Sequence, residues 1–176
     1  MRLLSLATLL LLTTLSVAYT TTIDQIISDV VAIDKSVKAL TSAVSLSDGG
    51  LYSKAGIAAL FAVVAVNTAK GGIDAHYLPP VAVNATDVGR AIATVQKTLD
   101  ITNPLAVKTF ESKKVLFQSW GQDVIVRGAL RLILQEHLYF SNAVLERTPP
   151  EYLEEANTAV DIISHALEAG IATFSS

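Results

Sequence analysis

The chain contains no cysteine, one methionine and one tryptophan, and only 16% of its 176 residues are charged. Without cysteine there can be no disulfide, zinc–thiolate, iron–sulfur or thiol chemistry, so packing alone must hold the fold. A domain of this size can manage that, since it buries roughly 70% of the surface its unfolded chain exposes. No G-x-S-x-G, H-E-x-x-H, P-loop or G-x-G-x-x-G stretch occurs, and the Glu-x-x-His pairs of di-iron bundles are missing too. His165 and Glu168 give the reverse spacing once, on the polar side of their helix. No metal and no cofactor is therefore expected. Acid–base catalysis needs paired carboxylates in a cleft, and the acidic residues, among them Asp24, Asp34, Glu154, Asp161 and Glu168, fall on what read as solvated faces. An enzyme is not expected. The formal net charge is −3 and the basic residues are scattered apart from Lys113 and Lys114, which excludes the basic footprint of a nucleic-acid or anionic-membrane binder.

Apolar residues are abundant instead: they make up 51% of the chain, and the mean hydropathy is +0.48. After Met1 and Arg2 an uncharged run reaches Leu15, and Ser16, Val17 and Ala18 place small residues where a signal peptidase reads. The run is too short for a spanning helix, which takes about 20 residues. Residues 1–18 are thus read as a signal peptide cut after Ala18, leaving no transmembrane segment and one domain over residues 19–176. Loss of Arg2 moves the formal charge from −3 to −4.

Within that domain the apolar spacing is helical throughout, and no run alternates with period two. Ile23, Ile26, Val30, Ile33, Val37, Leu40 and Val44 form a heptad stripe. It predicts a first helix over 22–47, capped by Thr21 or Thr22 and ended by Asp48, Gly49 and Gly50. A second helix is expected from Leu51 or Tyr52 to about Ala69, closed by Gly71 and Gly72, with a loop over 73–85 that contains Pro79 and Pro80. Its run from Ala55 to Val66 is apolar on every side, and such a helix must be surrounded by protein or ligand. Thr86 and Asp87 open a third helix, which is either kinked at Pro104 or split in two there. The fourth is expected over 122–146, with the stripe Val126, Leu130, Ile133, His137, Phe140 and Val144. After the break at Thr148, Pro149 and Pro150 a fifth follows, marked by Leu153, Ala156, Val160, Ile163, Leu167, Ile171 and Phe174. The fold class is all-α, an antiparallel bundle of about five helices.

A few residues stand out from this pattern. His137 lies within the apolar stripe of the fourth helix, where it is either a core histidine satisfied by a carbonyl or another side chain, or the donor to a ligand head group in a cavity. Trp120, at a helix junction, either plugs one end of the bundle or projects from it. Gln118, Ser119 and Gln122 beside it can hold a carboxylate or cap helix ends. Asn84, Ala85 and Thr86 form the chain's only N-glycosylation sequon, a surface signal.

Two stretches carry a family resemblance: SVKALTSAVSLSDGGL at the end of the first helix, and everything from Lys113 onward. The second includes the Lys-Lys-x-x-Phe element of Lys113 to Phe117, the valine and leucines of the fourth helix, the proline turn and the closing Ile/Phe pattern. In these the chain resembles the fungal hydrophobic surface-binding protein A and cell-wall galactomannoprotein group along its whole mature length. The resemblance implies a secreted or wall-associated five-helix bundle that holds fatty acids or similar amphipathic lipids in a long apolar cavity. Its alternative implication is a protein that coats hydrophobic surfaces or cell-wall polysaccharide and recruits lipolytic enzymes. The chain departs from the pattern in two respects: it lacks the Ser/Thr-rich tail of anchored relatives, ending at Ser175 and Ser176, and its run from Ala55 to Val66 is more apolar. The expected cavity lining is Leu60, Phe61, Val64, Val95, Leu99, Phe110, Phe117, Leu130, Ile133, His137, Phe140, Ile163 and Leu167. Burying roughly 15 methylenes at about 0.8 kcal/mol each, against association costs of roughly 4 kcal/mol or more, permits micromolar binding without a charge partner. A lipid binder of this kind should hold a tunnel of several hundred Å³.

Overall fold

A computed structural model describes residues 20–79 and 83–175. The expected signal peptide, Pro80 and Ser176 lie outside the described residues. Helix α1 spans Ile23–Leu46, and the Thr22 hydroxyl accepts the Gln25 N–H at 3.2 Å as its N-cap. The heptad stripe is its buried face, from Ile26 to Val44. In the turn that follows, the Asp48 carboxylate accepts the Gly50 N–H and the Ser53 hydroxyl. Gly49 has φ of 97°, and a β-carbon there would stand 3.0 Å from the Trp120 indole. Backbone conformation and space both call for glycine.

Helix α2 runs over Leu51–His76, well past the expected end near Ala69. Gly71 and Gly72 do not terminate it. They are the places where another helix comes close, because a β-carbon on Gly72 would meet the Tyr139 ring at 2.5 Å and one on Gly71 would meet Phe140 at 3.1 Å. The helix ends at Tyr77, where Arg147 serves its last carbonyls: Nη2 donates to His76 O at 3.4 Å and Nε to Leu78 O at 3.3 Å. The expected loop of 73–85 is shortened accordingly. Contrary to expectation, much of α2 is open to solvent, with Tyr52, Val66, Ile73 and Tyr77 at half exposure or more. By length and composition this helix could cross a membrane; its inner face, with Ile57, Phe61 and Val64, packs into the bundle.

The third helix is split, and the split falls at Thr98. Helix α3 covers Ala85–Lys97 and α4 covers Leu99–Ser112, with Thr98 at φ −126° and ψ −85° between them. Its hydroxyl donates to Thr94 O at 2.6 Å, the back-bonding by which β-branched Thr competes with the helix ladder. Pro104 sits inside α4, where it removes one ladder donor without ending the helix. Asn84, rather than Thr86 or Asp87, caps α3: its Oδ1 accepts the Asp87 N–H at 3.0 Å. After a short α5, Lys114–Ser119, come α6, Asp123–Leu145, a 3₁₀ turn at Pro150–Tyr152, and α7, Leu153–Thr173. There is no strand among the described residues.

Five long elements close a ring in the order α1, α2, α6, α7, α4 and back to α1, and among the described residues no two helix backbones come close across it. Chain neighbours α1 and α2 run antiparallel, as do α6 and α7, but an odd ring cannot alternate throughout. The axis is therefore filled by side chains alone. A principal core of α1, α2, α4, α6 and α7 residues occupies it, whereas α3 buries its own Val88 and Ile92 in a separate small cluster with Ala156 and meets the principal core through Val95.

The surface assignment of the acidic residues needs correction. Asp24, Glu154, Asp161 and Glu168 are exposed, but Asp34 is buried, as are Asp29 and Asp74. Lys70 of α2 bridges Asp29 of α1 and Asp74, and Lys38 serves Asp34 at 2.7 Å. Burial pushes the Asp29 carboxyl up, against the Lys70 ammonium that pulls it down. Hydrogen bonds to both aspartates hold Lys70 protonated above its ordinary range. Of these pairs, Asp29–Lys70 ties α1 to α2, while Asp34–Lys38 and Asp74–Lys70 lie within α1 and within α2.

Candidate functional site

Three apolar cavities lie in line along the ring axis. The largest, about 90 Å³, is walled by α1, α3, the start of α4, α6 and α7 through residues that include Ile26, Val30, Ile92, Val95, Leu99, Val144, Ala156, Ala159 and Ile163. It shares Leu99, His137, Phe140 and Ile163 with a second of about 20 Å³. That one shares Val64, Asn103, Ile133 and Leu167 with a third, also about 20 Å³, which ends against Phe61, Phe110 and Leu130. The expected tunnel of several hundred Å³ is thus replaced by an interrupted string, because Phe140, Ile133 and Leu167 close in between the voids.

Of the expected lining residues, Phe61, Val64, Val95, Leu99, Phe110, Leu130, Ile133, His137, Phe140, Ile163 and Leu167 stand on a cavity wall, while Leu60 and Phe117 stand on none of the three. Phe117 belongs to the plug that closes the end near the α1–α2 turn. It stacks on Phe110 at 5.8 Å and meets Trp120 and Phe174 edge-on at 5.4 and 6.0 Å. Phe61 continues the stack onto Phe110 at 5.0 Å. Trp120 therefore plugs the bundle, with the Lys54 ammonium 4.9 Å from its ring centre. Gln118 and Ser119 are exposed and Gln122 half-buried beside this plug, away from all three voids.

The small residues Ala91, Ala156 and Ala159 make the room in the largest cavity, and they were not among the expected lining. Their signal was present in the sequence: alanine at i and i+3 on the inner face of α7 leaves space that leucine would fill. Polar members of the walls, Thr68, Asn103, Ser141 and Thr148, were missed as well.

His137 is buried between the first two cavities. Its Nε2 lies 3.3 Å from Val160 O and its Nδ1 3.4 Å from the Ser141 hydroxyl. The arrangement fits the tautomer in which Nε2–H donates to the carbonyl and Nδ1 accepts from serine. Burial lowers the imidazole pKa, and the Val160 carbonyl only partly offsets this, so the ring is neutral at neutral pH. No Lys, Arg, Asp or Glu is among the residues lining the three voids.

Large apolar side chains are exposed around the plugged end: Leu46, Leu51 and Tyr52 at the α1–α2 turn, Val115 on α5, and Val124 and Ile125 at the start of α6.

The ring is shared with solved lipid complexes. AfMP4p in complex with palmitic acid superposes with a TM-score of 0.82 at 18% identity, covering 87% of this chain and 99% of that one. Ligand-binding domain 2 of the Penicillium marneffei MP1 protein, complexed with multiple arachidonic acids, gives 0.77 at 20% identity over 85% of this chain and 93% of the domain. Domain 1 of MP1, also complexed with arachidonic acids, gives 0.77 at 17% over 85% and 95%. At these identities the likeness is one of fold. No curated protein sequence matches the chain. Residues 23–146, running from the first residue of α1 to just past the end of α6, match the profile of hydrophobic surface binding protein A, and the chain belongs to that family.

Proposed function

We propose that the bundle binds a long-chain fatty acid or similar amphipathic lipid along its axis. The observation that carries this is the line of three apolar cavities inside a five-helix ring. A fully packed core would have no need of it, since native interiors hold few voids larger than a water molecule. Support comes from the same fold holding palmitic acid in AfMP4p and arachidonic acids in MP1. Along α6, Leu130 and Leu145 are separated by about 22 Å of helix axis. One acyl chain fills about 15 Å, half the roughly 30 Å hydrocarbon core of a bilayer. Ala159 tests the proposal. An Ala159→Leu variant puts three carbons into the largest cavity and should weaken palmitic acid binding at least about tenfold in calorimetric titration, with the helical circular dichroism unchanged. Undiminished affinity in a folded variant sinks the axial site.

The same reading includes secretion after removal of residues 1–18, and glycan attachment at Asn84, which is exposed and keeps its Oδ1 as the α3 cap. Adsorption to apolar surfaces is a second activity within this reading, favoured by the exposed Leu51, Tyr52, Val115 and Val124 around the plugged end.

A further inference from the structure

We infer that the interior recognises the hydrocarbon chain and not the head group: the lipid enters tail-first at the α3 end, its head group stays at the mouth, and long-chain alcohols and esters bind as tightly as the acid of equal length. This rests on the lipid-binding reading above.

Direction follows from how the two ends are closed. At one end Phe110, Phe117 and Phe174 are almost wholly buried and interlock with Phe61 and Trp120. At the other, the largest cavity is covered by α3, which fully buries only Val88 and Ile92, in a small cluster apart from the principal core, and reaches that core through the half-buried Val95. Opening the ring by moving α3 disturbs few apolar contacts; opening it at the plug would disturb the best-packed aromatics in the molecule. The chain's tail therefore points at the plug.

Indifference to the head group follows from the walls. A carboxylate drawn into the axis would meet no cationic side chain on any of the three cavity walls, and an unpaired charge is strongly disfavoured in an apolar interior. The neutral His137 offers no counter-charge. Uncharged polar groups on the walls are mostly committed to their own helices. Thr68 donates to Val64 O, Asn103 Nδ2 to Leu99 O and Thr148 to Val144 O, while Ser141 pairs with His137. Hydroxyls bound to backbone carbonyls satisfy the helix and leave the lumen chemically bland. What remains to be recognised is chain length and shape.

Displacement of diphenylhexatriene, an uncharged fluorophore, from delipidated protein tests this with palmitic acid, hexadecanol and methyl palmitate. The three should compete with affinities within about threefold of one another, and the order should be the same in Ser141→Ala and His137→Phe variants. An acid that binds about tenfold or more tighter than both neutral lipids overturns the inference while leaving lipid binding intact. So does a Ser141→Ala variant that loses affinity for the acid alone, because it would place the head group inside. If the protein binds neither the fluorophore nor any of the three lipids, the lipid-binding reading itself falls, and this inference with it.

Discussion

At the scale of single residues, the carboxyl of Asp100 in the first turn of α4 is raised from 3.8 to about 6 by burial, and its Oδ1 has no hydrogen-bond partner. The folded chain thus holds this proton more tightly than the unfolded chain does. Its contribution to stability is complete below about pH 3.8 and is lost as the pH rises through about 6. An Asp100→Asn variant should therefore match the wild type near pH 4 and melt several degrees higher at pH 7, as read by circular dichroism. His137 was visible in the sequence because a lone imidazole in an apolar stripe breaks a periodic pattern. The burial of Asp29, Asp34 and Asp74 was not, since whether an acid on a helix flank meets solvent or a neighbouring helix depends on the ring, and Lys70 is far from Asp29 in sequence.

Among the elements, boundaries marked by caps were legible: Thr22 at the start of α1, the Asp48–Gly50 turn and the proline break before α7 stand where their chemistry puts them. Gly71, Gly72 and Pro104 misled because each residue type has two uses. Glycine ends helices but also admits a neighbouring ring, here those of Phe140 and Tyr139; proline often breaks helices, but Pro104 is carried inside α4 at the loss of one ladder bond. The break at Thr98 has only local back-bonding behind it. It leaves α3 as a separate helix over the largest void, fixed at its rim by Arg90 to Asp24 and by Gln96 to Glu155. Because the voids are smaller than an acyl chain requires, loading must shift Phe140, Ile133 and Leu167 between them, and the inferred entry takes the chain past α3. Amides of α3 should exchange with deuterium faster than those of α1 or α6 in lipid-free protein. Palmitic acid should slow them. Exchange in α3 as slow as in α1, before and after loading, would mean that the chain is admitted elsewhere.

For the molecule as a whole, the helical class and the number of long elements could be read from period alone, and so could most of the cavity wall. The heptad faces that pack a core are the same faces that would line a tunnel. What period could not give was the ring: five helices around an axis that no helix occupies, with alanines on α3 and α7 leaving the space. The central claim is that this space holds a lipid. Native mass spectrometry of the protein, purified without detergent and then offered palmitic acid, tests it most directly. The account predicts a mass increment of one or more intact fatty acids that survives gentle desolvation and is shed on collisional heating. Protein that stays bare after delipidation and excess palmitic acid would contradict it.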